Sequence, residues 1–167
     1  MRPLSMFLAA AAMLFAAETA FAQRDAASKA RGEYNFYGGA AGSAMRSAQE
    51  TSTYYRQYAQ TAPDKKVNAE TAKEAADTIG NYITKAQAHF GGMRKHAEAA
   101  NDKATLAALD SIDKHLAAAK KSHADMAETC LKDNVDGAAT MECCKTIDAH
   151  LAKAIAEHDK LMKSLKK

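Results

Sequence analysis

Residues 103–130, KATLAALDSIDKHLAAAKKSHADMAETC, and 140–167, TMECCKTIDAHLAKAIAEHDKLMKSLKK, decide how this chain folds. In the first, Ala108, Ile112, His115, Ala119, His123, Met126 and Cys130 follow one another at steps of three and four, which places them on one face of an α-helix. In the second, Cys143, Ile147, His150, Ala154, His158, Leu161 and Leu165 show the same steps in mirror order. An antiparallel hairpin brings together residues whose numbers add to a constant, and one register does so for every member of both stripes. It opposes Cys130 to Cys143, His123 to His150, His115 to His158 and Ala119 to Ala154. Met126 then meets Ile147, Ile112 meets Leu161 and Ala108 meets Leu165. The intervening Lys132-Asp133-Asn134-Val135-Asp136-Gly137 breaks the helical period and supplies the reversal.

Upstream, Asn101-Asp102 marks a turn and an N-cap. Before it, Ile79, Tyr82, Ala86, His89, Met93 and His96 keep a helical stripe, which Gly91-Gly92 is expected to weaken or kink. Asp64 or Asn68 caps that helix. A further helix is read from about Gly42 to Gln60, ending before Pro63. No stretch shows the period-two, β-branched pattern of a strand. The expectation is an all-α, three- to four-helix antiparallel bundle over residues 43–167, preceded by a flexible Gly- and Ala-rich arm at 23–42 that carries the aromatic knot Tyr34, Phe36 and Tyr37.

Residues 1–22 read as a cleavable signal peptide. Arg2 precedes an apolar run from Leu4 to Ala17, and Ala20-Phe21-Ala22 forms a small-x-small cleavage site before Gln23. The run is too short for a retained span. These features predict a periplasmic or secreted protein with no stable membrane insertion after cleavage. Cleavage removes one base, Arg2, and one acid, Glu18, so the formal net charge of +3 is unchanged. The charges are spread along solvated helix faces instead of forming a basic stripe, which argues against nucleic acid as a partner.

In an oxidising compartment Cys130 and Cys143 are expected to form a disulfide. It would close a loop of twelve residues and constrain the unfolded chain by roughly 3 kcal/mol. Cys144, about 100° further round its helix, is the competing partner for Cys130; with Cys143 paired, Cys144 is the free or intermolecular thiol, able to link a homodimer. If the second and third helices turn near Asn101, His89 joins His115 and His158 at one level, with Asp113 near them. Three imidazoles in a bundle interior suit Zn²⁺ or Cu²⁺. The level of His123 and His150, about 12 Å away along the axis, lies near Met126 and the cysteines and is softer, suiting Cu⁺.

Several chemistries lack their motifs. There is no Cys-x-x-Cys-His for covalent haem, no Glu-x-x-His pair for a di-iron centre, and no nucleophile elbow, Gly-rich phosphate loop or His-Glu-x-x-His. The sequence thus predicts a non-enzymatic exported bundle that binds zinc or copper through His89, His115, His158, His123 and His150. The alternative is a structural or interaction protein of the cell envelope, with noncovalent haem between facing histidines and methionines as a third reading.

Overall fold

The computed structural model describes the backbone of residues 4–63, 66–132 and 135–166, and the side chains from residue 28 onward within those stretches. Helix α1 spans Leu4–Thr61, α2 Ala69–Ala99, α3 Lys103–Cys130 and α4 Gly137–Leu165; two short strands, β1 at Lys66–Val67 and β2 at Val135–Asp136, lie in the loops. The expected all-α bundle is what forms, with four helices.

Local chemistry sets the ends of these elements. The Asn68 side chain accepts from the Thr71 N–H at 3.0 Å and caps α2. At its other end Asn101 adopts a positive φ of 52°. The Asn101 and Asp102 N–H groups bond back to the Glu98 and Ala97 carbonyls at 3.0 and 2.8 Å, the Schellman closure that Asn tolerates at this position. Asp102 at once caps α3 through Thr105 N–H at 3.0 Å. One short segment thus ends one helix and starts the next. Asp136 caps α4 through the Ala138 and Ala139 N–H groups at 2.8 and 3.3 Å, so α4 begins at Gly137, three residues before the Thr140 that the period alone suggested.

The helices form a square in which each packs on its neighbours in sequence and α1 closes on α4. The α1–α2 and α3–α4 loops meet at one end, where β1 and β2 pair antiparallel with Lys66 opposite Asp136 and Val67 opposite Val135. Both valines are buried beneath this clasp. The strand pattern needs several residues to be visible, and two-residue strands carry none.

Three further features depart from the sequence reading. Residues 28–42 continue α1 instead of forming a separate arm, with Tyr34 and Ala41 buried. Helix α2 runs unbroken through Gly91-Gly92. The Tyr37 ring sits against Gly92 so closely that a Cβ there would lie 2.7 Å from Tyr37 Cδ1, so Gly92 makes room for the docked aromatic knot. Finally, the core faces of α3 and α4 are rotated from the mirrored stripes. Leu109, Leu116, Leu151 and Cys144 are buried, while their neighbours Ala108, His115, His150 and Cys143 are only half-buried. Burying a leucine contributes about 1.5–3 kcal/mol, more than an imidazole returns, so the leucines take the interior and His115 and His150 move to the flank.

Candidate functional site

The rotation resets which side chains meet. His115 lies beside His150, ring centroids 6.4 Å apart and planes at 32°. Met126 lies against Cys144, Sδ to Sγ 3.7 Å. The expected register would have given these two residues His158 and Ile147 as partners; the observed partners on α4 come eight and three residues earlier. The like-with-like register matched residue types, whereas leucine packing and the loop clasp position the real helices.

His115 and His150 occupy the flank between α3 and α4. The Nδ1 of His150 is buried and has no hydrogen-bond partner. An orphaned buried nitrogen is uncommon in a folded protein and leaves a lone pair or a proton unsatisfied. This is the feature of the seam that asks for a ligand.

The other four histidines are engaged elsewhere. His158 is 4% exposed, with Nε2 2.8 Å from the Gly38 carbonyl and Nδ1 3.0 Å from Asp159 Oδ1. Its ring abuts Phe90 edge-on at 5.9 Å, and Gly42 provides the space, since a Cβ there would come 2.6 Å from His158 Cε1. Arg46 holds the same Asp159 oxygen at 2.7 Å. Burial acts to raise the Asp159 carboxyl, yet hydrogen bonds from Arg46 and His158 overcome it and hold the group below its ordinary value. His158 Nε2 fastens α4 to α1 directly, while Nδ1 engages Asp159 of its own helix, which Arg46 of α1 holds in turn.

His123 Nε2 lies 2.8 Å from the Ala76 carbonyl of α2, its ring over Gly80, where a Cβ would fall 2.6 Å from that nitrogen. His89 and His96 both flank Tyr37 of α1, at 6.4 and 5.6 Å between ring centroids. His89 therefore faces α1 and does not join His115 and His158. Asp113, expected near that trio, pairs with Arg94 at 2.8 Å, as does Asp110. Among the described residues no three His, Cys, Asp or Glu side chains gather closely enough to hold one metal ion.

The three cysteines cluster near the clasp and are unpaired thiols, so the Cys130–Cys143 disulfide is not formed in this structure. Cys144, expected to point away from the seam, is fully buried in it, and Cys143 takes the half-exposed place. Burial pushes the Cys144 thiol up to about 12 and the Cys130 thiol up to about 11, with the neighbouring sulfurs adding to the rise in each. Cys143 is raised by burial and then by Asp125. Such thiols stay protonated near neutral pH and are poor nucleophiles. Around them Ser52, fully buried, donates to the Cys144 carbonyl at 3.3 Å, and Tyr55 donates to Thr140 Oγ1 at 3.2 Å. The helix read from about Gly42 to Gln60 contains Ser52 and Tyr55, but the sequence had no means of placing them beside the cysteines, because that contact joins α1 to α4.

Surface concavities lie on other faces of the bundle. A groove of about 500 Å³ runs between α1 and α2, lined by Thr51, Tyr54, Tyr55, Tyr58, Thr71 and Glu74 among others. A depression of about 390 Å³ near the clasp is walled by Ala69, Glu70, Lys73, Cys130, Leu131 and Lys132. Among the described residues no helix is long and apolar enough to cross a membrane. No protein family, curated protein or solved structure matches this chain.

Proposed function

We propose that this chain is an exported, non-catalytic helical-bundle protein that binds a transition metal, zinc or copper, on its α3–α4 flank through His115 and His150. The observation that carries the reading is the pair of facing imidazoles with one buried ring nitrogen lacking any partner. An imidazole nitrogen sits about 1.2 Å from its ring centre and binds zinc at about 2.0 Å. Two rings sharing one ion are therefore about 5.2 Å apart at zinc's tetrahedral angle and about 6.4 Å apart in line, so the 6.4 Å found here closes on one ion with a small inward movement of either ring. Two protein ligands leave positions open for water or an exchanging partner ligand, as fits binding, carriage or sensing better than permanent structural storage. Export rests on the leader-like pattern of residues 1–22 alone.

Calorimetric titration of the purified protein with Zn²⁺ tests it. One ion per chain should bind, His115→Ala and His150→Ala should each lose it, and His158→Ala should retain it. Loss of binding only in His158→Ala would overturn the assignment.

A second reading, an interaction protein of the cell envelope, is supported by the aromatic groove on α1 and α2, where Tyr54 is 67% exposed beside Tyr58. If such a protein forms a disulfide-linked homodimer, the half-exposed Cys143 is the thiol in reach of a second copy, since Cys144 is fully buried. Non-reducing electrophoresis should then show a dimer that Cys143→Ser abolishes and Cys144→Ser does not.

A further inference from the structure

The sulfurs of Cys144, Met126 and Cys130 beneath the clasp are used by neither reading above. Cys144 and Met126 are both fully buried with their sulfurs 3.7 Å apart. Cys130, 3% exposed, follows Met126 by one helical turn on the buried face of α3, and it also forms part of the wall of the depression that opens to solvent. A soft donor pair in the interior is thus connected to the surface through a third sulfur.

We propose that Cys144 and Met126 form a buried site for a soft monovalent d¹⁰ cation, Cu⁺ or Ag⁺, loaded through Cys130. Thiolate and thioether donors select such ions over harder ones. With metal–sulfur bonds of about 2.3 Å, a separation of 3.7 Å corresponds to an S–M–S angle of about 107°, which leaves a side open for a third donor. Cys130, one turn from Met126 on the buried face of α3, is the sulfur we assign to that position. In the binding step the ion takes the place of the Cys144 thiol proton, which leaves to solvent, and accepts a lone pair from Met126. No electron is transferred and no oxidant is needed.

Charge fixes the valence. A bare thiolate is strongly disfavoured at Cys144, whereas a thiolate, a thioether and one M⁺ are neutral together and suit an apolar interior. Zn²⁺ in the same place would need a second thiolate at Cys130 to be neutral, and burial disfavours that ionisation. The site therefore discriminates by charge as well as by softness. It stands apart from the imidazole flank and does not depend on it.

The test uses reduced, full-length protein titrated with Cu⁺ buffered by the chelator bathocuproine disulfonate, with sulfur-to-copper charge-transfer absorption as a second readout. One Cu⁺ per chain should be retained. Cys144→Ser should abolish retention, and the near-isosteric Met126→Leu, which preserves the packed volume, should weaken it about tenfold or more with helical content unchanged. The double variant His115→Ala/His150→Ala should bind Cu⁺ as the parent does, which separates failure of this site from failure of the imidazole site. Zn²⁺ should not compete at equal concentration. Absence of retained Cu⁺ in the parent, or retention unaltered by both Cys144→Ser and Met126→Leu, overturns the proposal. So does a disulfide at Cys144 found by peptide mapping of protein isolated from its native host, because that sulfur would then be occupied.

Discussion

His150 and His158 are the same residue type on one helix, eight positions apart, and their surroundings could hardly differ more. His158 lies in the core with both nitrogens engaged, over a glycine that leaves it room. His150 stands on the flank beside another imidazole with a buried nitrogen unpaired. The first is a fastener between α4 and α1; the second has spare bonding capacity. Sequence spacing treats them as equivalent. What separates them is which helix lies opposite, because an acceptor from Gly38 of α1 reaches one and only the His115 ring reaches the other.

The contrast can be broken most forcefully at the core that created it. Leu116→Ala, which removes a fully buried side chain next to His115, should cost about 3 kcal/mol in urea denaturation and release the rotation that holds His115 on the flank. Next, His158→Ala should cost about 2 kcal/mol, through lost hydrogen bonds and the cavity left behind. His150→Ala should cost less than about 1 kcal/mol, its unpaired nitrogen having little to lose. Equal losses at 150 and 158 would erase the distinction.

The glycines sharpen it further. Gly42→Ala drives a Cβ to 2.6 Å from the His158 ring and should destabilise by about 1–2 kcal/mol. Gly39→Ala meets nothing within 4 Å and should stabilise by up to about 1 kcal/mol. Thermal melts of the two variants should move in opposite directions.

The smallest expected effects concern pH. Cys144, Cys130 and Tyr55 have folded values raised to about 12, 11 and 12 from ordinary values of 9, 9 and 10, chiefly by burial. The unfolded chain therefore gives up these protons first. Their contribution is intact below about pH 9 and is lost progressively as pH rises towards 12. Asp159 works in the opposite direction. Its lowered value means a contribution present above the ordinary carboxyl range and lost as pH falls through it. Cys144→Ala should flatten the alkaline limb of a stability profile and leave the acid limb alone.

Much of the fold was legible in the residues. Asn68, Asp102 and Pro63 carry their own signals, and the steps of three and four mark helices whatever surrounds them. The site was less legible. The mirrored stripes contained Ile112, Ala119, Met126, Ile147 and Ala154 of the true core, yet they took His115 and His150 inward in place of the adjacent Leu116 and Leu151. Any helix has several overlapping stripes at those steps, and the choice among them is made by the total apolar area buried against three neighbours. His89 was assigned to α3 for the same reason: its stripe is real, but the ring it meets, Tyr37, belongs to the segment read as an arm.

The sequence by itself determined that this chain makes a bundle of three to four helices with short reversals, because caps, turn residues and helical periodicity act within a few residues of each other. Only the tertiary structure decided which histidine is a fastener and which is left with an unpaired nitrogen, and which cysteine is sealed against Met126. Those outcomes depend on helix rotation and register, set by packing between residues as far apart as Gly38 and His158 or Ser52 and Cys144, which no local pattern encodes.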